Sequence, residues 1–371
     1  MREFTNRRLL PLVIFILGFS ATAFSQTATP TPRPKDDDEI IKVESRLIVV
    51  PVSVTDGSGN AVTGLTAQDF RLLEEGKPQV IENLGTADTV PLEIALLFDV
   101  SASTDKMFKF EQETAAKFLR DVMRPADRAT VFAIGSEVNL VSPRDTAERS
   151  IAAVKSITPT KGSTAFFDSV SEAAEYLRRN SREGTRRVIL VISDGEDTNS
   201  VRIAKAIQDG YKKIGERINT IDSKSLYQLT VANRDTASVQ ERVRVLRGLQ
   251  NADTVFYSIN PAGNSFQLNK MSVFGQDNMQ KFADETGGTA FLPKFQPIET
   301  KDIYQNDINL RKNTDTLDRI FRQLTNELRS QYLIQYYSES EFPNGKFVKL
   351  DVGVNRGAAR IRARQGYYVK N

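Results

Sequence analysis

Residues 92–103 read LEIALLFDVSAS, an apolar run that ends in one acid and two hydroxyls. Short, unbroken runs of this kind are typical of parallel strands that are covered on both faces. A second run, VILVI at residues 188–192, leads into SDGED at residues 193–197. Short apolar strands and amphipathic helical segments alternate around these two runs. We therefore predict that residues 90–330 form a doubly wound, mostly parallel α/β sheet with helices on both faces.

The alternation predicts the individual elements of this sheet. The predicted strands are Glu93–Phe98, Thr130–Gly135, Val188–Ser193, Thr254–Ile259 and Thr289–Leu292, with a short antiparallel edge at Asn139–Val141. The predicted helices are Thr104–Met123, Thr146–Ser156, Ala165–Asn180, Val201–Arg217, Ala237–Gln250, Asn278–Thr286 and Thr314–Ser330. Asp145 and Glu148 are predicted to form a capping box at the start of the second helix.

The flanks of the α/β region have a different character. Residues 40–89 and 331–371 are rich in β-branched and aromatic residues and are interrupted by Gly, Asn and Pro, which is typical of strands and turns. Each flank alone is too short to bury an adequate core. We therefore expect the two flanks to pair into one small β domain, with the α/β domain inserted between them.

Residues 1–25 have the pattern of an export signal. Three arginines precede an apolar stretch from Leu9 to Phe19, and small residues follow at Ala21, Ala23 and Ser25. The stretch is shorter than the roughly 20 apolar residues of a spanning helix, so a cleaved leader is favoured over an uncleaved anchor. Residues 26–39, QTATPTPRPKDDDE, are predicted to be a disordered linker. We expect a periplasmic, extracellular or cell-surface protein without a stable membrane span.

Hydroxyls and acids follow the predicted parallel strands at the points where these strands end. They are Asp99, Ser101 and Ser103 after the first run, Thr164 in the loop before the third helix, and Asp194 after the second run. Ligands of doubly wound sheets bind beyond the carboxyl ends of the strands, so these side chains are expected to converge. Such a site offers oxygen ligands only, which suits Mg²⁺, with Mn²⁺ and Ca²⁺ as alternatives.

The composition excludes several other kinds of site. The 371 residues include no His and no Cys, so a Ser-His-Asp triad, a thiol nucleophile, a disulfide and a His-ligated metal are all ruled out. The sequence has no phosphate-binding loop of the Gly-x-x-x-x-Gly-Lys-Ser/Thr type. The formal net charge of +3 provides no basic surface for nucleic acid.

The arrangement of these acids and hydroxyls resembles the metal-ion-dependent adhesion site of von Willebrand factor type A domains. The motif of that family is Asp-x-Ser-x-Ser, a Thr in a second loop and an Asp in a third, and the resemblance covers about residues 90–330. It implies that Ser101, Ser103 and Thr164 offer hydroxyl oxygens directly to a divalent ion, and that Asp99 and Asp194 act mainly through water. It also implies a non-enzymatic adhesion or protein-binding module, to which a partner protein supplies an Asp or Glu carboxylate.

The flanks are similar to those of a narrower group, the bacterial VWFA-related proteins of the Acidobacteria type. The matching stretches are VTDGSGN at 54–60, LTAQDF at 65–70, EGKP at 75–78, ETGG at 285–288, ELRSQY at 327–332 and RQGY at 364–367. Compared with the family, the link at residues 210–253 is longer and polar, which predicts an insertion.

Two other functions are compatible with parts of the sequence. An envelope scaffold or assembly protein would use the same fold without metal, because Asp and Ser also cap helices that follow strands. A serine acylase is indicated by Ser103-Thr-Asp-Lys106, which matches the Ser-x-x-Lys motif of penicillin-recognising enzymes. Those enzymes also need Ser-Asp-Asn-like and Lys-Thr-Gly-like elements, which the sequence lacks. Glu196 and Asp197 are interpreted as solvated loop charges.

Overall fold

The secondary structure alternates strands and helices between two strand-rich ends. The computed structural model describes residues 46–101, 105–160, 162–261, 270–357 and 359–369. The strands are β1 Arg46–Thr55, β2 Phe70–Glu74, β3 Lys77–Pro78, β4 Asn83–Thr86, β5 Leu92–Asp99, β6 Arg128–Ile134, β7 Val138–Asp145, β8 Arg186–Ile192, β9 Thr254–Ile259, β10 Ala290–Phe291, β11 Tyr332–Ser338, β12 Phe347–Val354, β13 Arg360–Ala363 and β14 Gly366–Tyr368. The helices are α1 Asp105–Val122, α2 Ala147–Ser156, α3 Phe166–Asn180, α4 Val201–Ile214, α5 Ser223–Asn251, α6 Lys270–Thr286 and α7 Ile303–Arg329.

The middle of the chain forms a central sheet with the strand order β10-β9-β8-β5-β6-β7. Its neighbouring strands are parallel except for β7, which runs antiparallel to β6 at one edge. The predicted doubly wound, mostly parallel sheet is therefore confirmed. The first strand of the sheet, β5, lies between β6 and β8, so the chain winds outward in both directions from β5.

The apolar run of β5 is continuous because both of its faces are covered. Ile94 and Leu96 pack into a core with side chains of α1, α2 and α7. Ala95 and Leu97 point the other way, into a second core with side chains of α3, α4, α5 and α6. Every residue of β5 is buried, which is the condition for a parallel strand between two helical layers.

The two flanks together form a small β domain of two four-stranded sheets. One sheet has the order β13-β1-β11-β4 and the other has the order β14-β12-β2-β3, so each contains strands from both flanks. A shared core, which includes Val50, Leu72 and Ile334, lies between them. The prediction of a small β domain formed by both flanks is thus confirmed.

The last stretch of the C-terminal flank, residues 359–368, is divided into two strands in the structure. Its two parts, β13 and β14, belong to different sheets of the β domain. The break falls at Gln365, whose amide donates a hydrogen bond to the carbonyl oxygen of Glu285 in α6 at 3.1 Å. The carbonyl oxygen of Gln365 accepts a bond from the Leu350 amide at 2.8 Å.

Three helices begin earlier than the apolar periodicity predicts, namely α5, α6 and α7. The first part of α5 is mostly exposed, so it carries no apolar stripe from which a helix could be predicted. Two of these helices begin at an acidic cap. The Asp222 carboxylate accepts a bond from the Ser225 amide at 2.9 Å, and that of Asp302 accepts one from the Gln305 amide at 3.1 Å. The predicted insertion at residues 210–253 covers the end of α4 and the whole of α5.

The predicted capping box of α2 is wrong. Thr146, rather than Asp145, is the N-cap residue, and its side chain makes no capping hydrogen bond. Asp145 instead belongs to β7 and accepts a bond from the Thr146 amide at 2.8 Å. Glu148 lies in the first turn, where an acid is favoured by the helix dipole.

The predicted leader, residues 1–25, and the predicted linker, residues 26–39, lie outside the residues that the structure describes. In the described ranges, no helix combines the length and the apolar character needed to cross a membrane. The predicted boundaries of the α/β region fall in the connections from β4 to β5 and from α7 to β11.

Candidate functional site

Asp99, the last residue of β5, holds two hydroxyl groups at the carboxyl edge of the central sheet. It is only 7% exposed. Its Oδ1 accepts bonds from the hydroxyl of Ser101 at 2.6 Å and from the Ser101 amide at 2.9 Å. Its Oδ2 accepts a bond from the hydroxyl of Ser193 at 2.7 Å. A hydroxyl that donates its proton keeps its lone pairs, so Ser101 Oγ remains able to ligate a cation.

The loop that carries Thr164 is bonded to both neighbouring loops. The Thr164 amide donates to the hydroxyl of Thr198 at 2.8 Å, and its carbonyl oxygen accepts from the amides of Thr198 and Asn199 at 2.9 and 3.0 Å. Upstream in the same loop, the Thr160 amide donates to the carbonyl oxygen of Val100 at 2.9 Å. The loops after β5, before α3 and after β8 are therefore joined at one edge of the sheet.

Asp194 lies on the loop after β8, which is pressed against α6. Its Oδ1 accepts a bond from the Glu196 amide at 3.0 Å. Gly195 has a φ of +78° and lies so close to Gly275 of α6 that a Cβ on Gly275 would be 2.6 Å from the carbonyl carbon of Gly195. The hydroxyl of Ser272, also in α6, donates to the carboxylate of Glu196. The position of Asp194 thus depends on backbone-to-backbone packing.

The structure places four of the predicted metal ligands on these joined loops. They are Asp99, Ser101, Thr164 and Asp194, of which Asp99 and Thr164 are buried. The fifth, Ser103, lies outside the described residues, and so do the first residues of the Ser-x-x-Lys motif. Within the described ranges, no group of three or more acidic side chains is placed to hold a metal ion alone. The available donors are instead hydroxyls together with carboxylates, a hard oxygen set that fits Mg²⁺, Mn²⁺ or Ca²⁺.

Asp197 has a structural position, and its interpretation as a solvated loop charge is wrong. It is 6% exposed. Its Oδ2 accepts a bond from the amide of Phe167, the second residue of α3, at 2.8 Å. Its Oδ1 accepts a bond from the Ser200 amide at 2.9 Å. Asp197 therefore caps α3 from a neighbouring loop and fixes the loop after Asp194 against it.

The candidate site concentrates negative charge in a partly buried place. Burial raises the pKa of Asp99 above its usual range, and hydrogen bonds from Ser101 and Ser193 oppose that rise. Burial also raises the pKa of Asp194 to about 6, and the charges of Asp99 and Glu196 add to it. A bound divalent cation would favour the ionised forms of both acids.

Sequence reasoning missed two residues near this charge, Ser193 and Glu111. Ser193 is buried between Asp99 and the Gly195 amide, which donates to its hydroxyl at 3.0 Å. Glu111 lies in α1 and is 8% exposed. Burial raises its pKa to about 8, with the charges of Asp99 and Asp194 as further causes. The available signal was the helical spacing, since Glu111 shares the buried face of α1 with apolar residues such as Phe108 and Ala115.

Glu111→Gln is expected to flatten the pH dependence of stability in the presence of a chelator. Because the folded-state pKa is raised from 4.5 to about 8, the folded form holds a proton that the unfolded form has lost. Stability should therefore fall as the pH rises through this window, by up to about 1.4 kcal/mol per unit. Urea unfolding of both proteins between pH 6.5 and 8, above the pKa of Asp194 of about 6, measures the difference.

The matched control for this prediction is Glu113→Gln. Glu113 lies on the exposed side of the same helix, so its substitution should leave the slope unchanged. Equal slopes in the wild type and in Glu111→Gln would contradict the buried, protonated state of Glu111.

Comparison with known proteins connects this edge of the sheet to a domain family. The family described as von Willebrand factor type A domain matches residues 94–196, which include Asp99, Ser101, Thr164 and Asp194. A search of curated proteins found no significant match.

Several solved structures are distantly similar to this chain. An aerotolerance-related membrane protein from Bacteroides fragilis is 13% identical, with a TM-score of 0.33 over 62% of this chain and 99% of that one. Proximal thread matrix protein 1 from the mussel byssus, with a zinc-occupied MIDAS motif, is 12% identical, with a TM-score of 0.39 over 70% of this chain and 50% of that one. The PilB minor pilin from Streptococcus sanguinis is 13% identical, with a TM-score of 0.39 over 65% and 63%.

These structural similarities are too distant to assign any property to this chain. The family match, by contrast, covers two of the three loops completely and the start of the third. The region from β5 to the start of the loop after β8 is therefore the part of the chain that matches the von Willebrand factor type A domain family.

Proposed function

We propose that the protein is an exported, non-enzymatic binding module that holds a divalent metal ion and captures a carboxylate of a partner protein. The observation that carries this proposal is the arrangement around Asp99. Its two carboxylate oxygens accept hydrogen bonds from the hydroxyls of Ser101 and Ser193, so the lone pairs of Ser101 Oγ stay available at the edge of the sheet. A hard cation is the ligand that such lone pairs favour.

The proposed roles of the individual residues are those that the resemblance to von Willebrand factor type A domains implies. Ser101, Ser103 and Thr164 would bind the ion through neutral hydroxyl oxygens. Asp99 and Asp194 would act mainly through water, and Asp99 also orients the Ser101 hydroxyl by accepting a hydrogen bond from it. Neutral ligands leave the positive charge of the ion under-compensated, so it would supply strong attraction for an incoming carboxylate. A partner Asp or Glu is therefore the proposed ligand.

The donor set favours binding over catalysis. A metal-dependent hydrolase needs a general base that activates water. The carboxylates of this site, by contrast, already accept hydrogen bonds from neighbouring groups. The Asp194 side chain accepts a hydrogen bond from the Glu196 amide, and Asp99 accepts hydrogen bonds from two hydroxyls. We therefore propose that the protein is not an enzyme, and that it works in the periplasm or at the cell surface.

Asp194→Ala is expected to abolish the thermal stabilisation by Mg²⁺ that the wild type shows. A ligand at about 100 times its dissociation constant stabilises a folded protein by about 2.7 kcal/mol. This corresponds to an increase of several degrees in Tm. Melting curves in EDTA, Mg²⁺, Mn²⁺ and Ca²⁺ measure the effect. Asp99→Ala should behave in the same way, and the fold should survive both changes in EDTA.

Asp168→Asn is the matched control for the metal experiment. Asp168 lies in the first turn of α3, where its side chain accepts a bond from the amide of Val201 at the start of α4. Its response to metal should equal that of the wild type. If no ion changes the Tm of the wild type, the metal-dependent proposal is wrong, and a metal-independent envelope scaffold becomes the favoured function.

The carboxylate part of the proposal has its own readout. Acetate at millimolar concentration should raise the Tm further in Mg²⁺ but not in EDTA, whereas neutral acetamide should have no effect in either. A serine acylase would instead be labelled at Ser103 by a β-lactam probe, an outcome that contradicts the binding-module proposal.

A further inference from the structure

A cleft of about 600 Å³ lies at the junction of the β domain and the central sheet. Its floor is the outer face of β1 and β11, where Leu47 and Val49 alternate with buried Ile48 and Val50. Its walls are the beginnings of β8 and β9 and the strand β14. Because β8 starts here and ends at the candidate metal site, the cleft and that site lie at opposite ends of the sheet.

Four arginines line this cleft, which we call the arginine cleft. They are Arg46, Arg186, Arg187 and Arg364. Among the described residues that line it, Asp253 is the only acid, and it is paired with Arg364 at 2.8 Å. The lining therefore has an excess of positive charge. Clefts of this size between structural units are frequent sites for small ligands.

Three of these arginines have a buried donor without an acceptor. The Nε groups of Arg186, Arg187 and Arg364 have no hydrogen-bond partner among the described residues. One terminal nitrogen of Arg187 donates to the carbonyl oxygen of Ala252 at 2.9 Å, and one of Arg364 donates to that of Val49 at 2.8 Å. The guanidinium groups are thus fixed in place while part of their donor capacity is unused.

The charge of the cleft is partly removed from water. Burial lowers the pKa of Arg186 to about 10, and the neighbouring charge of Arg329 lowers it further. A cation in such surroundings interacts more strongly with an anion than an exposed cation does. The remaining lining is largely apolar and includes Leu47, Val49 and Leu333. Two of these side chains are substantially exposed, Leu47 by 48% and Val49 by 37%.

We propose that the arginine cleft binds a small organic acid in which one carboxylate is attached to an apolar chain. The carboxylate would accept hydrogen bonds from the guanidinium groups, since its two oxygens match the fork of an arginine. The apolar chain of the ligand would cover Leu47, Val49 and Leu333. A monoanion is favoured over a phosphate, because a phosphate carries up to two negative charges that a partly apolar cleft would have to desolvate. This site is independent of the metal site.

Calorimetric titration of the full chain with decanoate, below its micellar concentration, tests the proposal. Saturable binding is expected with decanoate and not with decanol, and the affinity should fall as NaCl is raised. Decyl phosphate should bind more weakly than decanoate. Absence of saturation, equal binding of decanol, or tighter binding of decyl phosphate would each overturn the assignment.

Two variants and one matched control locate the ligand. Arg187→Gln should weaken decanoate binding at least tenfold. Leu47→Glu should remove it altogether, because the new carboxylate would occupy the guanidinium groups, and the half-exposed position tolerates the change if Arg187→Gln fails to fold. Arg242→Gln is the control, since Arg242 also has a buried Nε without a partner but does not line the cleft. Unchanged binding in Leu47→Glu would refute the proposal.

Discussion

Gly275→Val should destabilise the protein by about 2–3 kcal/mol and should reduce its response to Mg²⁺. In a typical exposed helix position, removing glycine is stabilising, because glycine costs about 1 kcal/mol relative to alanine. Here even a Cβ would lie 2.6 Å from the carbonyl carbon of Gly195 and 2.8 Å from the carbonyl oxygen of Asp194. Neither α6 nor the loop can yield by rotating a side chain, since both contacts involve backbone atoms. Urea unfolding and Tm with and without Mg²⁺ measure the two effects.

Gly248→Val provides the control for this substitution. Gly248 also lies in a helix, α5, and a Cβ there would meet no atom within 4 Å. Its replacement should change stability by less than about 1 kcal/mol and leave the Mg²⁺ response intact. If Gly275→Val is as stable as Gly248→Val, the loop after β8 does not depend on α6. If it is destabilised but responds normally to Mg²⁺, the packing does not position Asp194.

Glu74→Leu is expected to destabilise the β domain by about 3 kcal/mol. Glu74 is 1% exposed in β2, and its carboxylate accepts bonds from Tyr336 at 2.7 Å, Tyr367 at 2.8 Å and Ser338 at 2.9 Å. Leucine of similar size would leave three buried hydroxyls without their acceptor, each at a cost of about 1–3 kcal/mol. We expect less than the sum, because the hydroxyls can bond to one another. Urea unfolding gives the free energy.

The same Glu-to-Leu substitution at an exposed position is the control. It separates the effect of the lost hydrogen bonds from the effect of replacing glutamate with leucine. Glu82→Leu, near the start of β4, should alter stability by less than about 0.5 kcal/mol. Tyr336→Phe should cost about 1–2 kcal/mol in the wild type and much less in the Glu74→Leu background. Equal costs of Tyr336→Phe in both backgrounds would show that Tyr336 and Glu74 do not act together.

The sequence could predict those parts of the fold that depend on one-dimensional pattern. The apolar runs of β5 and β8 predicted strands that are covered on both faces, and in the structure both runs form buried strands of the central sheet. The beginnings of α5 and α7 were missed because they are stabilised by caps and exposed polar side chains, which leave no apolar period. The split after β13 depends on a contact between Gln365 and Glu285, and no local signal marks it.

The candidate site was predictable to the extent that its residues are close to strand ends. Asp99, Ser101 and Asp194 share one edge because the parallel strands β5 and β8 bring their carboxyl ends together. Thr164 reaches the same edge on the loop from α2 to α3, which is hydrogen-bonded to the other two loops. Glu111 was missed because it lies in α1, away from the motif in the sequence. Its link to the site is electrostatic, since the charges of Asp99 and Asp194 help to raise its pKa. The burial of Asp197 was missed because its partner Phe167 comes from another segment, the start of α3.

The strand order of the β domain determines when it can assemble. β1 pairs with β11 over Arg46 to Val52, and Tyr367 donates to a glutamate 293 positions earlier in the chain. During synthesis, the first strands emerge long before their partners exist. The central sheet, whose pairs lie nearer in sequence, can form in that interval. The β domain then assembles last. Any mutation that slows synthesis or folding of the C-terminal strands therefore leaves the N-terminal strands unpaired and prone to aggregate.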